Sequence, residues 1–319
     1  MMLLDILIVV IGAALVLVGA DKLTDGAVAV ARRFQIPEMV IGLTIVGFGT
    51  SLPEFMVSLL SGVQGSSGMS IGNIVGSNLF NALMIVGVSA VFYPITVSRT
   101  SVRKDIPLVL LSSVAMTALA LDVLISGGVT DVISRGDGIV LMCFFVIFMA
   151  YTFSMAKSGA EDVEAGEGAP MSVWRMVLYI VLGLAALIGG GQLFVEGSCG
   201  IARELGVSEA VIGLTLVAGG TSLPELATSV IAARKGRSAM AVGNVIGSML
   251  FNTFWVIGFC ATIRPLPVTD IDWVDFAMLI FASVLFWFFA RTRHYIGRFE
   301  GGIMVATYVA YITWLVLSL

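Results

Sequence analysis

Charge is scarce in this sequence: only 12% of its 319 residues are Asp, Glu, Lys or Arg, about half of the roughly 25% usual in soluble domains. With 58% hydrophobic residues and a mean hydropathy of +1.05, too few polar side chains remain to coat a water-soluble domain. Composition therefore assigns the chain to the membrane class. Histidine is nearly absent: the single His294 excludes multi-histidine zinc centres, and a Ser-His-Asp triad would have to rest on it, beside Arg291, Arg293 and Arg298. The three cysteines, Cys143, Cys199 and Cys260, sit far apart in apolar runs without CxxC spacing. They read as small core residues rather than redox or metal groups. No long basic run accompanies the net charge of −4, so no nucleic-acid partner is implied. There is no HExxH and no nucleophile–base arrangement, so the chain reads as a non-enzyme. No cofactor or obligate protein partner is evident beyond the lipid bilayer.

What is present is a series of apolar runs long enough to cross a hydrocarbon core of about 30 Å. Ten are expected, at 3–20, 38–61, 70–93, 105–125, 137–156, 173–195, 209–233, 239–263, 272–290 and 297–317. Irregular backbone cannot face lipid, so the expected fold is an all-α integral membrane protein of ten transmembrane helices. The first run lacks a small-residue cleavage site and reads as a span rather than a removed signal. Alternate connections divide Lys and Arg 14 to 3, with only Arg135, Arg203 and Arg264 on the poor side. The positive-inside rule then makes the rich side cytoplasmic and both termini extracytoplasmic, with the cell membrane as the expected location. The most polar stretch, KSGAEDVEAGEGAPM at 157–171, reads as a solvated cytoplasmic linker.

That linker divides two similar halves, 1–156 and 172–319. VIGLTIVGFGTSLPE at 40–54 reappears as VIGLTLVAGGTSLPE at 211–225, and GNIVGSNLFN at 72–81 as GNVIGSMLFN at 243–252, both at an offset of 171. A constant offset across two motifs means duplication of a whole unit. Five spans separate the copies, so the second is expected upside down, the arrangement of secondary transporters with a site near the bilayer midplane.

Pro53 and Pro224 have no N–H and clash with the carbonyls of Gly49 and Gly220, so spans two and seven are expected to break there. Thr50, Glu54 and Ser58 fall at i, i+4 and i+8, with Ser51 beside them; Thr221, Glu225 and Ser229, with Ser222, repeat the stripe. Asn73, Ser77 and Asn81 share that spacing, matched by Asn244, Ser248 and Asn252, while Gly72 with Gly76 and Gly243 with Gly247 predict close helix contacts. A charge at the bilayer centre costs about 2.5–3.5 kcal/mol or more, and no Lys or Arg lies inside these four spans to compensate Glu54 and Glu225. Protons or bound cations remain as partners. Carboxylates, hydroxyls, amides and carbonyls make an all-oxygen set suited to calcium or sodium, not to softer metals. A cation channel and an intramembrane carboxylate dyad are weaker readings of the same residues.

These motifs resemble the alpha repeats of the sodium/calcium exchangers of the calcium/cation antiporter superfamily, and the resemblance covers essentially the full chain. It implies antiport of sodium against calcium, with ten helices in two inverted sets of five. It further implies calcium held by Glu54, Glu225 and the carbonyls of Thr50 and Thr221. Sodium would use those carboxylates with Thr50, Ser51, Ser77, Thr221, Ser222 and Ser248, plus carbonyls near Gly47 and Ala218. Asn81 and Asn252 would line the middle, and spans one and six would slide across the other eight. Asn252 departs from the aspartate of many relatives, which favours a potassium-independent exchanger. Calcium/proton exchange and potassium-dependent sodium/calcium exchange are the alternatives.

Overall fold

The computed structural model describes residues 2–158, 171–206, 218–269 and 271–318. Most of the acidic linker and residues 209–217 of the expected seventh span lie outside them. The described chain is mostly helical, and seven of its helices are long and apolar enough to cross a membrane, or eight if one bent pair counts as a single span.

Two of these helices form the centre. In the most apolar 18-residue stretch of Ser67–Phe92 and of Ser238–Ile263, 78% of residues are buried, against 11–33% in the other five spans. Around them the molecule is turned inside out relative to a soluble protein. Leu3, Val146 and Ile147 are exposed on the perimeter, while Glu54, Asn78, Asn81, Glu225, Asn244 and Asn252 are buried, as expected when lipid rather than water is the outer solvent.

Several boundaries depart from the sequence expectation. The first helix runs over Met2–Phe34 and its counterpart over Val173–Glu204, both well past their apolar runs, so Lys22, Arg32 and Arg33 are helical rather than in a loop. The reason is a shared glycine seam. Gly12, Gly19 and Gly26 recur every seven residues, as do Gly183, Gly190 and Gly197. A Cβ at Gly12 would lie 2.7 Å from the Gly190 carbonyl, and one at Gly19 2.8 Å from that of Gly183. Two backbones that approach this closely gain dispersion contact along their whole length, and the helices persist together. The fourth span is shifted from its expected bounds: a π-helical turn, Ser101–Asp105, precedes Ile106–Ala120, and the helix is interrupted at Leu121.

Among the other expectations, Gly243 and Gly247 do pack on backbone, 2.6 Å from the Met39 and Leu43 carbonyls for a Cβ built at each. The segment that would match this at Gly72 and Gly76 falls in 207–217. Cys199 and Cys260 are buried, whereas Cys143 lies exposed on the perimeter, contrary to its expected core position. An apolar thiol faces lipid without penalty. His294 ends Trp273–Arg293 in the left-handed conformation, and its carbonyl accepts from Val97 N. Short antiparallel pairs join distant connections: Ile95–Thr96 with Tyr295–Ile296, and Val132–Ile133 with Leu266–Pro267.

The seam gives a direct test. Gly190→Ala drives a Cβ to 2.8 Å from Leu15 Cβ and 2.9 Å from the Gly12 carbonyl, while its neighbour Gly189 has nothing within 4 Å. Thermal unfolding in detergent should show Gly190→Ala destabilised by about 1–3 kcal/mol and Gly189→Ala neutral or slightly stabilised.

Candidate functional site

The broken span supplies the first carboxylate. Helix Glu38–Thr50 and helix Leu52–Gln64 meet at a 47° bend, with Ser51 out of helical conformation and Pro53 in the first turn of the second helix. Pro53 offers no N–H to the Gly49 carbonyl, which is the local cause of the break. In the second half, Ser222 has nearly the same backbone angles before Leu223–Arg234, with Pro224 in its first turn. Glu54 and Glu225 each occupy the first turn of a helix, where exposed N–H groups favour negative charge.

Each carboxylate is steadied by the opposite half. Ser222 Oγ donates to Glu54 Oε1 at 2.9 Å, and Ser51 Oγ donates to Glu225 Oε1 at 2.9 Å. Ser77 Oγ and Ser248 Oγ each add a longer bond of 3.5 Å to Glu54 Oε1 and Glu225 Oε1 respectively. Behind each glutamate an asparagine fixes the helix: Asn73 Nδ2 donates to the Glu54 carbonyl and Ser58 Oγ, and Asn244 Nδ2 to the Glu225 carbonyl and Ser229 Oγ. Asn73 and Asn244 are therefore supports for the site, and Ser58 and Ser229 are packing partners of those asparagines.

The middle is completed by two π-helical turns, Phe80–Ile85 and Phe251–Ile257. They carry Asn81 and Asn252 at matching positions, and such turns re-aim side chains at functional sites. Asn252 Nδ2 donates to Ser77 Oγ and Asn78 Oδ1, both at 3.1 Å, and Asn78 in turn donates to Thr253 Oγ1. Asn78 was not singled out in the sequence, and its counterpart in the second repeat is Met249, so the duplication gives it no paired signal. Thr50 Oγ1 donates to the Val46 carbonyl and approaches Asn244 Oδ1. The Gly47 carbonyl accepts from Ser51 N and Ser248 Oγ. Thr221 is half-buried, and Ala218 begins the short helix Ala218–Gly220.

The remaining oxygens decide the chemistry. Glu54 Oε2, Glu225 Oε2, Asn81 Oδ1 and Asn252 Oδ1 are all buried without a hydrogen-bond partner. Unpaired buried oxygens cost about 1–3 kcal/mol each, more when charged. No ion pair to either glutamate occurs among the described residues. Nor is there a cluster of three or more His, Cys, Asp or Glu among them. Four acceptors with no donor form a set that a hard cation can satisfy.

A polar, oxygen-rich centre inside a multi-pass helical membrane protein defines a cation transporter. The chain belongs to the sodium/calcium exchanger protein family, whose model matches residues 4–154 and 175–317; it is a sodium/calcium antiporter. Among similar proteins, the sodium/calcium exchanger MaX1 of Methanosarcina acetivorans is 31% identical over 98% of both chains. The inner membrane protein YrbG of Escherichia coli is 34% identical over 89% of this chain and 88% of its own. A structure of the sodium-calcium exchanger NCX_Mj soaked with zero Na+ and Ca2+ superposes with a TM-score of 0.84 at 32% identity, covering 99% of this chain and 100% of that one.

The unpaired oxygens predict a trade between stability and binding. Neutralising Glu225→Gln should raise the unfolding free energy of ion-free protein by about 1–3 kcal/mol. It should also remove the rise in unfolding temperature that calcium or sodium gives the unmodified protein. Both are read from thermal melts with and without each ion.

Proposed function

We propose that exchange proceeds by alternating access at one centre between Glu54 and Glu225, which accepts either calcium or several sodium ions. The observation that carries this is the group of four buried, unpartnered oxygens, two carboxylate and two amide. Calcium would be held by both carboxylates and the carbonyls of Thr50 and Thr221. Asn81 and Asn252 would line the middle, completing the 6–8 oxygens calcium takes, with water where needed.

Sodium would share the carboxylates and recruit Thr50, Ser51, Ser77, Thr221, Ser222 and Ser248, with the carbonyls of Gly47 and Ala218. Ser51 and Ser222 already touch the carboxylates through their hydroxyls, and turning a hydroxyl presents its lone pairs to an ion. The Gly47 carbonyl would exchange the Ser248 donor for an ion. Competition for one set of oxygens makes the exchange obligatory: an occupied, neutralised centre can reorient, an empty dianionic one cannot cheaply. Replacing one divalent ion by several monovalent ions moves net charge, so about 2.3 kcal/mol per charge per 100 mV is available to extrude calcium.

The architecture we infer is ten spans in two inverted sets of five, 1–156 and 172–319, joined by a cytoplasmic linker over 157–171. Both termini would be extracytoplasmic, in the cell membrane. Contacts between connections support this topology, because each joins segments assigned to the same side. Ile95–Thr96 pairs with Tyr295–Ile296 on the Lys/Arg-rich side, and Val132–Ile133 with Leu266–Pro267 on the poor side. Arg264 Nη1 likewise donates to the Val63 carbonyl and Arg135 to that of Ile263. The two spans needed beyond the eight are Ile106–Ala120 with its preceding turn, and the seventh, described only from Ala218. A cavity of about 550 Å³, lined by Leu60, Val195, Glu196, Pro53, Thr221 and Pro224 among others, runs from the second break toward helix ends assigned to the outer side. It supports an outward-facing state.

Sodium-loaded inside-out vesicles should take up labelled calcium, faster when the potential favours net positive charge leaving the lumen. Glu54→Gln or Glu225→Gln should lower uptake at least a hundredfold. Equal uptake driven by a proton gradient without sodium would overturn the sodium assignment.

A further inference from the structure

The long helix pair carries a charge asymmetry that the repeat makes visible. On Met2–Phe34, Asp21 and Asp25 lie one turn apart, and Lys235, just beyond helix Leu223–Arg234, reaches both: its Nζ is 2.7 Å from Asp21 Oδ1 and 2.6 Å from Asp25 Oδ1. The same ammonium donates to the Asp21 carbonyl at 3.2 Å. Three partners on one helix satisfy all three protons of a single ammonium group. The offset of 171 takes Asp21 to Gln192, Asp25 to Glu196 and Lys235 to Gln64. Gln192 and Glu196 line the open cavity, and Gln64 is exposed. One end of the molecule is thus closed by an ionic clamp, while among the equivalent positions at the other end Gln64 stands where the matching lysine would be.

We infer that Asp21, Asp25 and Lys235 form a cytoplasmic latch that holds the first helix against the seventh span and biases the exchanger toward its outward-facing state. The inference rests on the alternating-access reading. In the opposite state the first helix must leave the seventh span at the cytoplasmic end, which breaks the clamp. The inverted contact would bring Glu196 and Gln192 toward Gln64, where the Lys235 position offers an amide and no ammonium. The two states are therefore held by unequal contacts, and the outward one keeps the ion pairs.

Unequal populations have a sided signature. Apparent affinity is reduced by the fraction of molecules in the competent state, so a majority outward population weakens binding chiefly from the cytoplasm. Opening the latch should then improve apparent cytoplasmic calcium affinity with little change outside. The partners are partly exposed, with side-chain exposures of 29%, 42% and 40% for Lys235, Asp21 and Asp25. The expected shift is about threefold, in keeping with exposed ion pairs.

The test is calcium half-saturation of sodium-dependent exchange measured separately in inside-out and right-side-out vesicles, for Lys235→Gln and for the double variant Asp21→Asn, Asp25→Asn. The two variants change local charge in opposite directions but break the same latch. Both should lower cytoplasmic half-saturation about threefold. Shifts of opposite sign would assign the effect to surface potential and overturn the latch, as would no shift in either variant or equal weakening from both sides. Retained exchange in Glu54→Gln would instead sink the central-site reading, a result independent of the vesicle sidedness ratio.

Discussion

Two carboxylates buried without counter-charge are the constraint from which the rest of the structure follows. In a medium that solvates charge poorly, Glu54 and Glu225 survive only because serines and helix N-termini surround them. Those donors must be fixed in place, which is why each span breaks beside its glutamate and why Asn73 and Asn244 grip the backbone behind it. The two most buried helices exist to carry that second layer. What they leave undone are four bare oxygens, the opening that we propose a cation fills.

Much of this was legible in the sequence, for identifiable reasons. Proline one residue before each glutamate, in two copies, specified both the break and the residue displayed at it, and the i, i+4 spacing of Asn73, Ser77 and Asn81 placed one polar face on a central helix. The family followed from the same motifs. Hydropathy failed where packing rather than lipid set the helix ends: Met2–Phe34 continues through Asp21, Lys22 and Asp25 because its glycines are held by Val173–Glu204. Cys143 was misread because apolar runs do not say which face meets lipid.

Local pattern was also blind to partnership across the repeat. Ser51 sits three residues from Glu54, yet donates to Glu225, 174 positions away. A stripe of polar residues on one helix does not say which carboxylate each hydroxyl serves, and only the fold reveals the exchange. Asn78 escaped notice for a similar reason, since its partners Thr253 and Asn252 lie on the other central helix.

That exchange means neither half owns a complete centre. Each contributes an acid and the hydroxyl that steadies the other half's acid, so the relation is isologous, as at a two-fold dimer interface. A single half working in isolation would leave its carboxylate with only the longer bond from its own serine, Ser77 or Ser248. The chain is in this respect a dimer interface made covalent, and its two halves need not match, as Asp25 and Glu196, or Lys235 and Gln64, show.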